Sequence, residues 1–278
     1  RVAFMYKRPE ITHNDAFDAG GTRFDVVTPF EELRTSYEGK LAILTDPLLM
    51  ADPRKAFTES PYEKAHIDLV HRGVSPMYGG EPVNDDGSQL DTDHSGGFAR
   101  GHYEQHMAVE GTIRVGDEEW TVKGNGLRDH SWGPRFWQAP WWYRWLTANF
   151  GDDFGFVVSI VASRDGGRRY GGMVLRDGKY EHIRNATIET VWKGDDQYHT
   201  EVRATATTSE GTYEITGRVL NLIPLRNRRT TPEGEQLVTR ISEGMTEWSC
   251  NGRTGYGLSE YLDQMIDGAP VGAAEESS

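Results

Sequence analysis

Apolar and polar residues alternate with a period of two along one stretch after another of this 278-residue chain, while the 3.6-residue period of an amphipathic helix is scarce. The alternations run through residues 65–70, 102–115, 120–123, 154–162, 188–192, 201–207, 212–222 and 237–248. Turn signals separate them, at Asp85-Asp86-Gly87, Asp165-Gly166-Gly167, Asp177-Gly178 and Pro232-Glu233-Gly234. This spacing predicts an all-β protein. One short helix is expected at Thr28-Pro29-Phe30-Glu31-Glu32-Leu33, with Thr28 as N-cap, Pro29 at the first helical position and Glu31 closing a capping box. Residues 78–97 read as a polar loop, and residues 268–278 as a disordered tail.

Composition removes several functions. Lys and Arg number 30 against 43 Asp and Glu, and the net charge of −13 has the wrong sign for gripping nucleic acid or an anionic membrane. No apolar run approaches the roughly 20 residues that span a bilayer. The single cysteine, Cys250, excludes an internal disulfide or a Cys-rich metal cluster and leans the reading toward the cytoplasm. The first residues, Arg1-Val2-Ala3-Phe4, carry neither a Met nor a signal-peptide pattern. A phosphate-cradling loop, a dinucleotide fingerprint and a Gly-x-Ser-x-Gly elbow are all missing, so no cofactor is expected.

The densest segment is Gly124-Asn-Gly-Leu-Arg-Asp-His-Ser-Trp-Gly133. If extended, it places Leu127, Asp129 and Ser131 on one face and Arg128, His130 and Trp132 on the other. An Asp-His-Ser run also suits a hydrogen-bonded bulge that locks two sheets together. Around it crowd Trp132, Phe136, Trp137, Trp141, Trp142, Tyr143 and Trp145, too many large rings for a bare surface. They form the seam between two β halves, the wall of an apolar pocket, or both. Rings facing a desolvated cation stabilise it by up to about 2 kcal/mol each. An acid among such rings therefore suits a reaction with carbocation character.

Two further segments carry candidates. Along 101–107, His102, Glu104 and His106 share one face and Tyr103, Gln105 and Met107 the other. The first trio has metal-ligand chemistry, but its face continues as Glu110, Thr112 and Arg114, which favours a solvated strand and no metal. His71 and His94 add no informative spacing. Near the end, Glu260 lies between Tyr256 and Tyr261 and could be a second carboxylate paired with Arg128 or Arg135, or a cap on the last strand.

The run at 124–133, with Gly252-Arg-Thr-Gly-Tyr-Gly-Leu-Ser-Glu-Tyr261, resembles the AttH-like/carotenoid 1,2-hydratase (hydroxyneurosporene synthase) superfamily. The resemblance covers about residues 20–265. It implies two lipocalin-like β domains packed side by side, here 1–135 and 136–267. Hydratases of that group add water to an isolated double bond of an isoprenoid chain, without cofactor; related folds include isomerases and cyclases. The motif aspartate falls on Asp129 as the acid, with His102, Tyr103 and Gln105 as upstream helpers. This chain has Leu127 where the hydratase pattern has Tyr, and His130-Ser131-Trp132 is closer to the AttH-like branch.

Together these readings expect Asp129 to protonate an apolar terpenoid-like substrate, with His130 or Arg128 setting its proton affinity. Trp132, Trp137 and Trp142 would stabilise the cation, and His102 or Gln105 would orient water. The competing class is a carrier that holds a hydrophobic ligand without reaction. Oligomeric state is open, a homodimer included.

Overall fold

The computed structural model describes residues 17–81, 83–84, 88 and 97–276. The turn at Asp85–Gly87, His94 and most of the polar loop lie outside the described residues, as do residues 1–16. The first sheet comprises β1 (Phe17–Ala19), β2 (Thr22–Thr28), β3 (Glu32–Ala42), β4 (Tyr62–Gly73), β5 (Tyr78–Gly80), β6 (Gly101–Val115) and β7 (Glu118–Trp132). It is antiparallel, in the order β1-β2-β3-β4-β6, with β5 beside the start of β6 and β7 along its other edge. A 3₁₀ turn, Pro47–Ala51, and helix α1, Pro53–Glu59, join β3 to β4; Asp46 and Asp52 cap them by accepting from Leu48 and Lys55 backbone N–H groups.

The second sheet is built from β8 (Trp142–Asn149), β9 (Phe154–Ala162), β10 (Arg168–Arg176), β11 (Lys179–His182), β12 (Asn185–Lys193), β13 (Tyr198–Thr207), β14 (Thr212–Thr230), β15 (Gln236–Cys250) and β16 (Arg253–Ile266). Its order is β11-β10-β9-β8-β16-β15-β14-β13-β12, with a short β17 (Ala269–Pro270) on β16. β12 packs back against β9 and β10, so the sheet curls around its own core. Trp142, Leu146, Phe156, Ile188, Ile215 and Trp248 fill that core, from inward positions of alternate phase. The first sheet has a smaller core around Tyr37, Ala65 and Val115. Among the described residues no helix is long and apolar enough to cross a membrane.

Two expectations are corrected. Residues 28–33 are not a helix: β2 ends at Thr28, Glu31 N–H donates to Thr28 O at 3.1 Å, and Thr28 pairs with Glu32 across a three-residue turn. A single capped turn of helix has a costly nucleus, and the β2–β3 ladder that extends to Thr22–Tyr37 outweighs it. The segment after Asp267 is not disordered through its described part. Helix α2, Val271–Glu275, follows β17, and Glu276 is buried.

Candidate functional site

The hairpin of β6 and β7 turns at Gly116–Asp117, and Gly116 adopts φ 60° there, a conformation that favours glycine. The register that follows sets Glu104 opposite Asp129, His102 opposite Ser131, Tyr103 opposite His130 and Gln105 opposite Arg128. Since side chains alternate, the hairpin presents two chemically distinct faces.

One face meets the second sheet. His102 Nε2 lies 3.2 Å from Asp129 Oδ2 and 3.8 Å from Glu104 Oε1. The His102 and Asp129 side chains are 41% and 43% exposed, whereas Glu104 is buried beneath them. Burial pushes the Glu104 carboxyl up to about 7; His102 and the Trp145 indole pull it down, and Asp129 and Glu260 push it further up. Burial works against charge on His102, but the hydrogen bond and charge of Asp129, joined by Glu104, outweigh it and raise its pKa.

The second sheet adds a matching pair. Glu243 and Glu260 are cross-strand neighbours on β15 and β16, and Trp145 of β8 lies across from Glu260. Burial and the neighbouring Glu260 push Glu243 up to about 8, and burial also raises Glu260. Two half-buried carboxyls bonded to each other hold a proton between them, as two adjacent negative charges would repel. The Tyr143 hydroxyl donates to Glu260. Above this acid cluster stands an aromatic wall: Phe98 lies 5.4 Å from Trp137 and 5.8 Å from Tyr143, ring centre to ring centre. The Arg135 guanidinium sits 4.3 Å from the Phe98 ring centre.

His102, Glu104 and Asp129 each offer a donor atom, all within 4.8 Å of one another, a mixed nitrogen and oxygen set of the kind that can hold a divalent cation. The trio considered from sequence differs in one member. His106 is buried, bonds Asn149 Oδ1 through Nδ1 at 2.7 Å, and is pushed by burial down to about 4.

The opposite face of the hairpin, with Leu127 and Asp129 of β7, lines a cavity of about 370 Å³ between β2 and β7, walled also by Phe24, Val26, Leu33, His71, Met107 and Arg128. It continues past Tyr103, His130 and Trp132. His130 Nδ1 is 3.3 Å from the Tyr103 hydroxyl, and burial and then Arg128 lower its pKa. Trp132 Nε1 donates to Glu81 at 2.9 Å. Gln105 donates to the carbonyls of Phe30 and Ser75, at 2.8 and 2.9 Å, and so pins two loops.

The expected single site is therefore two. Asp129 and His102 share the junction face with Trp137 and Glu260, while His130, Tyr103, Arg128 and Trp132 face the cavity. Trp142 belongs to neither, buried in the second core with its indole N–H on Glu275. Glu260 has Arg135 as its nearby cation, not Arg128. The sequence reading missed Glu243 and treated Glu104 only as a metal candidate. The two-residue turns at Gly116–Asp117 and Asn251–Gly252 carried the signal, because each fixes a register that sets acid opposite acid.

A family model described as a domain of unknown function (DUF7064) matches residues 1–265. No curated protein sequence matches the chain. A crystal structure from Nitrosomonas europaea, reported with AttH as its proposed identity, is similar at 12% identity and a TM-score of 0.50. The match covers 89% of this chain and 71% of that one. The architecture is thus AttH-like: nearly all β, with two antiparallel sheets and few helices.

Proposed function

Taking as premise that the chain belongs to the DUF7064 family and has an AttH-like fold, we propose that it is a cofactor-independent acid–base enzyme acting on an apolar, isoprenoid-like small molecule. The observation that carries this reading is the Glu104 carboxyl, which retains a proton up to about pH 7 beside the exposed His102–Asp129 pair. The proton held on Glu104 reaches the substrate through His102 and Asp129. The π electrons of a substrate double bond form a C–H bond with it and leave a tertiary cation, which Phe98, Trp137 and Tyr143 stabilise. Water then adds to the cation, and its surplus proton returns along the same pair to the Glu104 carboxylate. The product is a tertiary alcohol and the enzyme is unchanged. If water is excluded, loss of a neighbouring proton gives an isomer.

The test is mass spectrometry of terpenoid substrates incubated in ¹⁸O-labelled water with the wild type, Asp129→Asn and Glu104→Gln. A labelled alcohol from the wild type alone supports hydration, and an unlabelled isomer moves the reading to isomerase or cyclase. The cavity behind the hairpin favours a second reading, a carrier, for which unchanged ligand would co-purify with all three proteins.

A further inference from the structure

The cavity between β2 and β7 is mostly apolar, and its lining carries two charged residues, Arg128 and Asp129. Arg128 projects into it, half-buried, and its guanidinium carbon lies 5.2 Å from the Tyr103 ring centre and 5.8 Å from that of Phe30. No carboxylate pairs with it among the described residues. Asp129, next in sequence, also lines the cavity, but its carboxylate is paired with His102 at 3.2 Å, and Asp25 at the rim is paired with Arg23 at 2.8 Å. The neighbouring polar groups are a Thr35–His71 hydrogen bond of 2.8 Å and the Tyr103–His130 contact. Besides Asp129, the rest of the lining is Phe24, Val26, Leu33, Met107 and Leu127. Phe24 and Val26 remain 44% and 40% exposed, an apolar lip beside a half-buried cation.

An apolar chamber with one planar, five-donor cation at its wall complements an apolar body bearing one planar anion, and guanidinium binds a carboxylate through two parallel hydrogen bonds. We propose that this cavity is a binding site for an amphipathic monocarboxylate, a fatty or terpenoid acid, with its carboxylate on Arg128 and its chain against Met107, Leu33, Val26 and Phe24. The volume of about 370 Å³ falls within the range of about 300–1,000 Å³ usual for small-molecule sites. His71 and His130 have lowered pKa values, His71 through burial and then Arg128, so near neutral pH they are neutral and leave Arg128 as the anchoring charge. The site lies behind the acid cluster, on the other face of β6–β7, and does not rest on the acid chemistry.

Titration calorimetry at pH 7.5, with dodecanoate and 1-dodecanol below their aggregation limits, tests this on the full chain. Dodecanoate is expected to bind one to one, at least tenfold more tightly than the alcohol, with an affinity that falls as salt rises. Arg128→Met should erase the preference for the acid, and Arg128→Lys should keep part of it, which separates a lost anchor from a lost fold. Glu104→Gln should leave the preference intact even where it abolishes turnover. Equal binding of acid and alcohol by the wild type, binding of neither, or an unchanged preference in Arg128→Met would overturn the proposal.

Discussion

The indole Nε1 of Trp145 donates to Glu104 Oε1 at 2.6 Å, a bond from the second sheet to the buried acid of the first. The proton affinity of Glu104 is thus a property of the junction and not of either sheet alone. An N–H aimed at a carboxylate favours its ionised form, and here it opposes the larger effect of burial. Trp145→Phe keeps the ring and deletes the donor. The carboxyl should then titrate above about 7, read as a shifted side-chain carbon resonance in a pH series. An unshifted titration would show that the indole bond has no hold on the acid.

Stability should fall with rising pH because of the same residue. Glu104 has a folded pKa of about 7 against an ordinary 4.5, so the folded state binds its proton more tightly than the unfolded chain does. The contribution is complete below about pH 4.5 and is lost as pH rises through about 7, a change of about 3 kcal/mol. Glu104→Gln copies the protonated form at every pH. Urea unfolding should give similar stabilities for variant and wild type near pH 4.5 and an advantage to the variant at pH 8.5. Parallel curves for the two proteins would contradict the raised pKa.

The strands were legible because period-two alternation is a local signal, and β9 coincides with the alternating run 154–162. The β2–β3 hairpin was not, since Thr28-Pro29-Phe30-Glu31 satisfies a local helix rule that only the distant partner strand overrides. The site divided along the same line. Alternation already put Asp129 and His130 on opposite faces, but which face met another sheet depends on contacts such as Trp145 with Glu104 and His106 with Asn149. Those contacts join residues more than 40 positions apart, and a single sequence does not encode them in any short window. The tail was misread because small residues at 268–274 carry no periodicity, and its order comes from one buried arginine.

His106 and Gly155 explain how closely the two sheets approach. A methyl group on Gly155 would lie 2.7 Å from both Ala148 O and His106 Cε1, in the strand beside Asn149, which accepts the His106 hydrogen bond. Gly155→Ala should therefore cost about 1–3 kcal/mol in urea unfolding. In a His106→Ala background the ring is gone and the added penalty should shrink, a coupling that a double-mutant cycle measures. Equal penalties in both backgrounds would assign the whole clash to the Ala148 carbonyl.

Arg144 sets the value of the C-terminal segment. It is fully buried, its Nε donates to Glu276 Oε2 at 2.7 Å, and its Nη2 lies 3.2 Å from Asp263 Oδ1. Asp263 also accepts the Gly272 N–H at 2.9 Å, and a Cβ on Gly272 would fall 2.1 Å from Arg144, so only glycine fits where α2 crosses the cation. Trp141 and Trp142 donate their indole N–H groups to Glu275. Ending the chain at Gly268 removes one of the two carboxylates that neutralise a buried guanidinium and uncovers the other. Breaking a buried pair in this way costs about 3–5 kcal/mol. Glu276→Gln, which keeps an acceptor oxygen but not the charge, should cost less than the truncation. Urea midpoints for the three proteins should fall in the order wild type, Glu276→Gln, truncation. A truncated chain as stable as the full one would mean that Asp263 alone suffices for Arg144 and that α2 is dispensable.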